Sequence, residues 1–233
     1  MNTFTFNGTA SSTYGIIVEH RPAYVFPKRV IEAINIPGRS GDIFFDTGAY
    51  NNVTLTYQIA YKGTVRANAR SIANWLYQND YCELEDTYDP NYFRKAIYVS
   101  PLSVADVLNA AGRCNISFNA KPQRYLKTGK TVTTYSTSTS LTNDYEDALP
   151  IITVNGSGNG VLTVGGASVT ITDIGAGIVI DSEAQNAQTV GGQNANGQIS
   201  LSGGFPVLEN GSTLISWTGG ITDIEVQPNW WSL

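Results

Sequence analysis

Between Ile34 and Val53 the chain reads Ile34-Asn35-Ile36-Pro37-Gly38-Arg39-Ser40-Gly41-Asp42-Ile43, then Gly48-Ala49-Tyr50-Asn51-Asn52-Val53. Proline presets φ for a turn and glycine accepts positive φ, so Pro-Gly and Ser-Gly-Asp punctuate rather than continue an element. With β-rich runs on either side, the order is strand, turn, strand, turn, strand. Directly afterwards Val53, Leu55, Tyr57, Ile59 and Tyr61 keep period two, which gives a strand with one apolar face for a core. Such a chain is committed to β structure early.

The remaining first half agrees. Thr3–Phe6 alternates and ends at Asn7-Gly8, a hairpin signal. Further β-rich runs are Tyr14–Glu19, Lys28–Ile36, Tyr81–Glu85, Phe93–Val99 and Arg113–Asn119. One helix is expected after Thr64, an N-cap residue, with Val65, Ala69, Ile72 and Leu76 at helical spacing, widened by Trp75 and Tyr77 and ending near Asn79-Asp80.

Charge then changes abruptly. All 14 Lys and Arg lie at or before Lys130, against ten acids, for a net of +4; the residues beyond carry nine acids and no cation, for −9. Fifteen of the 23 glycines also lie beyond Lys130. That shift places a domain boundary there, with domains 1–130 and 143–233 separated by 131–142, a Thr/Ser-rich segment that suits a linker or an exposed edge strand. Opposite signs could draw the halves, or neighbouring subunits, together at modest salt. Short β runs at Ile151–Val154, Gly160–Val164, Ser168–Ile171, Gly177–Ile180, Ile199–Leu201, Ser212–Trp217 and Thr222–Val226 indicate a β-sandwich or jelly roll. Asn155–Gly160 resembles a phosphate loop in composition, but no helix or Lys follows it, so it is expected as a hairpin loop.

Chemistry is sparse. A net charge of −5 opposes non-specific nucleic-acid binding. His20 is the only histidine and has no partner at metal-ligand spacing, which disfavours a Ser-His-Asp or His-based zinc site. Glu83, Glu85, Asp86 and the pair Glu146-Asp147 offer carboxylates for a glycosidase, without an apolar pocket legible around either group. Cys82 and Cys114 lack CxxC spacing and are expected as free thiols. No run reaches the length of a membrane span. Trp217, Trp230 and Trp231 form a candidate aromatic contact surface, either core and subunit contact or a sugar platform. The expectation is a non-enzymatic protein with no cofactor and no metal.

Three segments together resemble the distal tail proteins (Dit) of siphophages. They are Phe4–Gly8 with Ser12 and Gly15–Val18, leading into the turns above; Ile116–Tyr125; and Ile180–Glu183 with Gly204–Pro206, Ile215–Gly219 and Ile224–Trp230. Each is short, and they span almost the whole chain in family order. The resemblance implies a mainly β fold, with an N-terminal β-rich ring domain carrying one packed helix and a C-terminal galectin-like β-sandwich. It implies a structural virion protein: a homo-hexameric hub that joins the tail tube protein to the baseplate or tail tip. A tail-associated fibre or lysin protein and receptor-binding or baseplate proteins are the further partners. DNA would cross the central channel without sequence reading. Localisation would be the virion tail, assembled in the bacterial host cytoplasm. Pro37, Gly38, Arg39 and Gly41, and Gly48, Tyr50, Asn51 and Asn52, are then candidate hairpin tips at the ring interface. The competing reading is a carbohydrate-binding β-sandwich for host-surface adhesion.

Overall fold

The computed structural model describes residues 2–62, 65–101, 105–108 and 111–233. The chain forms two compact units, Met1–Arg124 with Leu233 and Tyr125–Ser232. The structural division falls a few residues before the compositional shift at Lys130. Among the described residues no helix is long and apolar enough to cross a membrane.

The first unit contains β1 (Phe4–Phe6), β2 (Thr9–Ala10), β3 (Ile16–His20), β4 (Arg29–Ile34), β5 (Ile43–Tyr50), β6 (Val53–Lys62), α1 (Val65–Leu76), β7 (Cys82–Asp86), β8 (Tyr92–Tyr98), β9 (Ala105–Leu108) and β10 (Ala111–Ala120). An antiparallel sheet runs β2-β1-β7-β8-β10-β6-β3, with β9 also on β10. Asn7 (φ 48°) and Gly8 (φ 74°) turn β1 into β2, the two positive φ values that a type I′ hairpin needs. Period two in β6 is realised: Val53, Leu55, Tyr57, Ile59 and Tyr61 are all buried. Ile72, Trp75 and Leu76 of α1 pack in the same core, and the Trp75 indole donates 2.9 Å to the Phe6 carbonyl. The expected N-cap Thr64 lies outside the described residues, and Tyr77, one residue beyond the helix, is exposed. The centre of this core is aromatic, with Phe4 on Tyr57 and Phe6 on Phe118 at ring separations of 4.9 and 4.8 Å.

The second unit contains β11 (Arg124–Leu126) from Tyr125 onward, β12 (Thr133–Tyr135), β13 (Thr139–Asn143), β14 (Ile151–Val164), β15 (Ala167–Ile171), β16 (Ile178–Asp181), β17 (Asn186–Thr189), β18 (Ile199–Ser202), β19 (Gly211–Gln227) and β20 (Trp231–Ser232). Residues 131–142 therefore supply two strands, both paired with β19. Two long strands organise the unit, because each serves two layers. The first half of β14 and the second half of β19 pair with each other and are flanked by β16 with β17, and by β12. Their other halves pair in turn and are flanked by β15 with β18, and by β13. The result is a β-sandwich whose core is aliphatic, built on Ile152, Val154, Leu162, Val169, Ile171, Ile180, Ile215 and Ile224.

Asn155–Gly160 is not the expected hairpin loop. It lies inside β14, where the register with β19 shifts at Asn155/Gly156 and again between Gly156 and Gly160. A Cβ on Gly156 would overlap the Gly220 carbonyl oxygen, and one on Gly220 would overlap the Ser157 carbonyl oxygen. Glycines facing each other let the two backbones close up and bend from one layer to the other. The four runs expected at 151–154, 160–164, 212–217 and 222–226 are accordingly two continuous strands.

Candidate functional site

Antiparallel β4 and β5 form a two-stranded sheet of their own. Ile36, Pro37, Gly38 and Arg39 make its tip. The Arg39 amide donates 3.1 Å to the Ile36 carbonyl, with Pro37 and Gly38 central and Gly38 at φ 84°, as in a type II turn. Gly41 (φ 83°) completes the tip, where Asn35 donates 3.1 Å to Asp42. A Cβ on Gly38 would meet nothing within 4 Å, so conformation rather than space selects glycine there.

The second group of candidate residues lies elsewhere. Gly48 and Tyr50 belong to β5, and Asn51 and Asn52 stand at the base of the hairpin. The Asn51 amide donates to the Lys28 carbonyl, closing that base, while the Asn52 side chain donates to Asn119 and Tyr81. Arg29 pairs with Asp46, and the Thr47 hydroxyl donates 2.8 Å to the Val30 carbonyl. Pro37–Gly41 is therefore a tip, and Gly48–Asn52 is a stem.

Between them lie residues that the sequence reading passed over. Phe44 is 70% exposed and Phe45 59%, with Ile31 and Ile34 about half exposed. Opposed residues share a face, so Ala33 and Phe44 lie on one side, and Glu32 with Phe45 and Ile34 with Ile43 lie on the other. Each face thus carries large apolar side chains beside a carboxylate, Asp46 opposite Ile31 on one and Glu32 opposite Phe45 on the other. A run such as Ile43-Phe44-Phe45, without alternation, suits a strand covered on both sides. The signal was present in the sequence as an apolar triplet held between Asp42 and Asp46.

A second feature of this unit is a cavity of about 570 Å³, lined by the segment Arg21–Val25 and by residues of β6, β7 and β8. Its walls include Tyr24, Tyr57, Tyr88 and Tyr92. Arg124 pairs with Asp89 and lies over the Tyr92 ring at 4.2 Å and the Tyr24 ring at 5.0 Å. Arg94 donates from Nη1 to the carbonyls of Pro122 (2.9 Å) and Lys121 (3.3 Å). Burial, and then repulsion from Arg124, push its guanidinium down to about 10, which leaves it charged at neutral pH. Asp86 accepts the Tyr57 hydroxyl at 2.9 Å and the amides of Tyr88 and Asp89. Burial and that carboxylate raise the Tyr57 pKa well above the usual tyrosine value.

The sequence's carboxylate candidates are dispersed among structural bonds. Glu83 faces Lys95 across β7 and β8, and Asp147 accepts the Asn210 amide at 2.8 Å. His20 is exposed at the end of β3. Trp217, Trp230 and Trp231 are half-buried at the margin of the sandwich core, and the Trp231 indole donates 2.9 Å to the Asp147 carbonyl.

A β-rich unit with one helix and an exposed two-stranded arm, followed by a β-sandwich built on two shared long strands, is a fold that this chain shares with a solved phage protein. One such solved structure is the crystal structure of SPP1 Dit (gp 19.1), described as a paradigm of the hub adsorption apparatus in phages infecting Gram-positive bacteria. The chain matches it with a TM-score of 0.77 over 100% of both chains at 12% identity. The resemblance read from the residues is thus met by a likeness of fold along the whole chain. No family model matches the chain, and neither does any curated protein sequence.

Proposed function

We propose that this chain is the subunit of a homo-hexameric hub in a phage tail, joining the tail tube protein to the baseplate or tail tip. The observation that carries the reading is the β4–β5 arm, which exposes Phe44 and Phe45 on opposite faces. An isolated two-stranded hairpin is marginal in water, and an apolar patch left open on a subunit marks an interface. An arm that reaches a different surface on the next copy makes a head-to-tail contact, and such contacts form a ring when the rotation between copies closes, here after six. Pro37, Gly38, Arg39 and Gly41 at the tip, and Gly48, Tyr50, Asn51 and Asn52 at the stem, are the ring-interface residues in this reading.

The sandwich is galectin-like in this reading, with Trp217, Trp230 and Trp231 at its contact surface. A tail-associated fibre or lysin protein docks beneath, and receptor-binding or baseplate proteins complete the assembly. DNA crosses the channel without base contacts; a subunit of net charge −5 suits a passage that must not retain a polyanion. The subunit is non-enzymatic, is assembled in the host cytoplasm and resides in the virion tail.

Immunogold labelling of particles carrying this chain tests the assignment. Label at the junction of tail tube and tip is expected. Label on the capsid, on fibres alone, or only on debris would overturn it.

A further inference from the structure

The cavity of the first unit is rich in hydrogen-bond donors and poor in free acceptors. Three guanidiniums, Arg21, Arg94 and Arg124, line it against two carboxylates, Asp86 and Asp89, an excess of one positive charge. Neither carboxylate is spare: Asp86 accepts the Tyr57 hydroxyl and two backbone amides, and Asp89 is paired with Arg124. Arg124 also lies over the Tyr24 and Tyr92 rings, and Arg21 lies over the Tyr88 ring at 5.6 Å. Arg94 differs from both. Its Nη1 is engaged by the Lys121 and Pro122 carbonyls, while among the described residues its Nε and Nη2 make no hydrogen bond and the group forms no ion pair. A half-buried guanidinium without a carboxylate is a costly arrangement that a bound anion would relieve.

We propose that this cavity is a binding site for a small aromatic carboxylate, whose carboxylate is held by Nε and Nη2 of Arg94 and whose ring sits among the tyrosines. That edge of a guanidinium presents two parallel N–H donors that match the two oxygens of a carboxylate, so the anion is gripped at both. The lining suits a ring: Tyr24, Tyr57 and Tyr92 offer offset or edge contacts, and Leu55, Leu84 and Phe93 supply apolar surface. A volume of about 570 Å³ is within the range that encloses a small molecule. A neutral sugar fits poorly, because its hydroxyls need acceptors and both carboxylates are already taken. A phosphate dianion brings one negative charge more than the lining's excess. Tyr24 is 61% exposed and Val25 42%, in a segment that belongs to no strand, so a ring seated against them covers apolar surface that the subunit leaves open. Every lining residue belongs to the first unit of one chain, so the site stands or falls separately from the hub reading.

Calorimetric titration of the full chain with 2-naphthoate tests this. One site per chain is expected, and the uncharged analogue 2-naphthamide should bind about tenfold more weakly, the scale of one hydrogen bond between charged groups. Arg94→Gln keeps a donor for the two carbonyls and should weaken 2-naphthoate by a similar factor. Arg94→Lys should recover only part of the loss, since it restores the charge without the planar fork. Tyr24→Ala, at an exposed position, should leave the melting temperature unchanged and weaken acid and amide alike, the signature of a lost ring contact. No binding of 2-naphthoate at millimolar concentration, equal affinity for acid and amide, or an Arg94→Gln protein that binds like the parent would overturn the proposal. If Arg94→Gln does not fold, the comparison of acid with amide on the parent and on Tyr24→Ala decides the matter by itself.

Discussion

Replacing both arm phenylalanines with alanine separates assembly from folding. In the single subunit Phe44 and Phe45 are 70% and 59% exposed, so their removal takes almost nothing from either core. Surface substitutions of that kind change stability by about 0.5 kcal/mol or less, and the melting temperature of a Phe44→Ala, Phe45→Ala protein should stay near that of the parent when both are held monomeric. Association should respond very differently. A phenylalanine side chain offers roughly 200 Å², of which the exposed share leaves about 120–140 Å² to be covered by a neighbour. At about 25 cal/mol per Å² that is roughly 3 kcal/mol for each ring, and about 2 kcal/mol after allowing for the methyl retained by alanine. Each substitution should therefore raise the dissociation constant of one subunit contact about thirtyfold. Mass measured by light scattering across a dilution series would report the shift, with thermal unfolding of the same samples as control. The reasoning would be refuted by a double variant that assembles like the parent yet melts many degrees lower, since the arm would then be serving its own subunit's core.

Other expectations follow from the buried groups and the glycine bend. Gly156→Ala must push apart backbones that approach at the Gly220 carbonyl, so it should destabilise the sandwich by more than about 3 kcal/mol while the first unit's unfolding transition, resolved as a separate step by calorimetry, stays in place. The Tyr98 hydroxyl is buried without a hydrogen-bond partner among the described residues; Tyr98→Phe should leave stability unchanged or raise it by up to about 1 kcal/mol in urea titrations. Tyr57 and Tyr125 titrate above the usual tyrosine value and Tyr98 at about 12, in each case chiefly through burial. These tyrosines hold their protons in the fold more tightly than in the open chain, so their stabilisation is complete below about pH 10 and is lost as pH rises past it. Arg94 has the opposite sign, its burial cost being relieved above about 10, and offsets part of the loss. Tyrosinate absorbance against far-UV circular dichroism should show a late group of tyrosines ionising together with loss of β signal; a single ionisation near pH 10 with the β signal intact would contradict this.

Much of the fold was legible because it obeys local rules. Alternation in Val53–Tyr61 set the face of β6, Asn7-Gly8 set the first hairpin, and Ile72 with Leu76 set the buried side of the helix. Misreading arose where one residue type does two jobs. Glycine ends strands at turns but also lets long strands bend, and only the partner backbone at Gly219–Gly220 distinguishes these at Gly156–Gly160. Part of the candidate site was legible for the same reason: Pro37-Gly38 is a tip by its own chemistry. Phe44 and Phe45 were not legible as surface, because an apolar triplet reads as core until the structure shows nothing of its own subunit lying over it. The cavity draws on residues from Arg21 to Arg124, and no sequence spacing encodes such a gathering.

The central claim, that these subunits close into a ring through their arms, is tested most directly by the mass of the purified chain in solution, with electron-microscope images from the same peak. The account predicts six subunits, or two such rings stacked, in particles with a six-fold axis and an open centre. A two-fold dimer with arms paired to each other, or a strict monomer at high concentration with the tail proteins present, would contradict it.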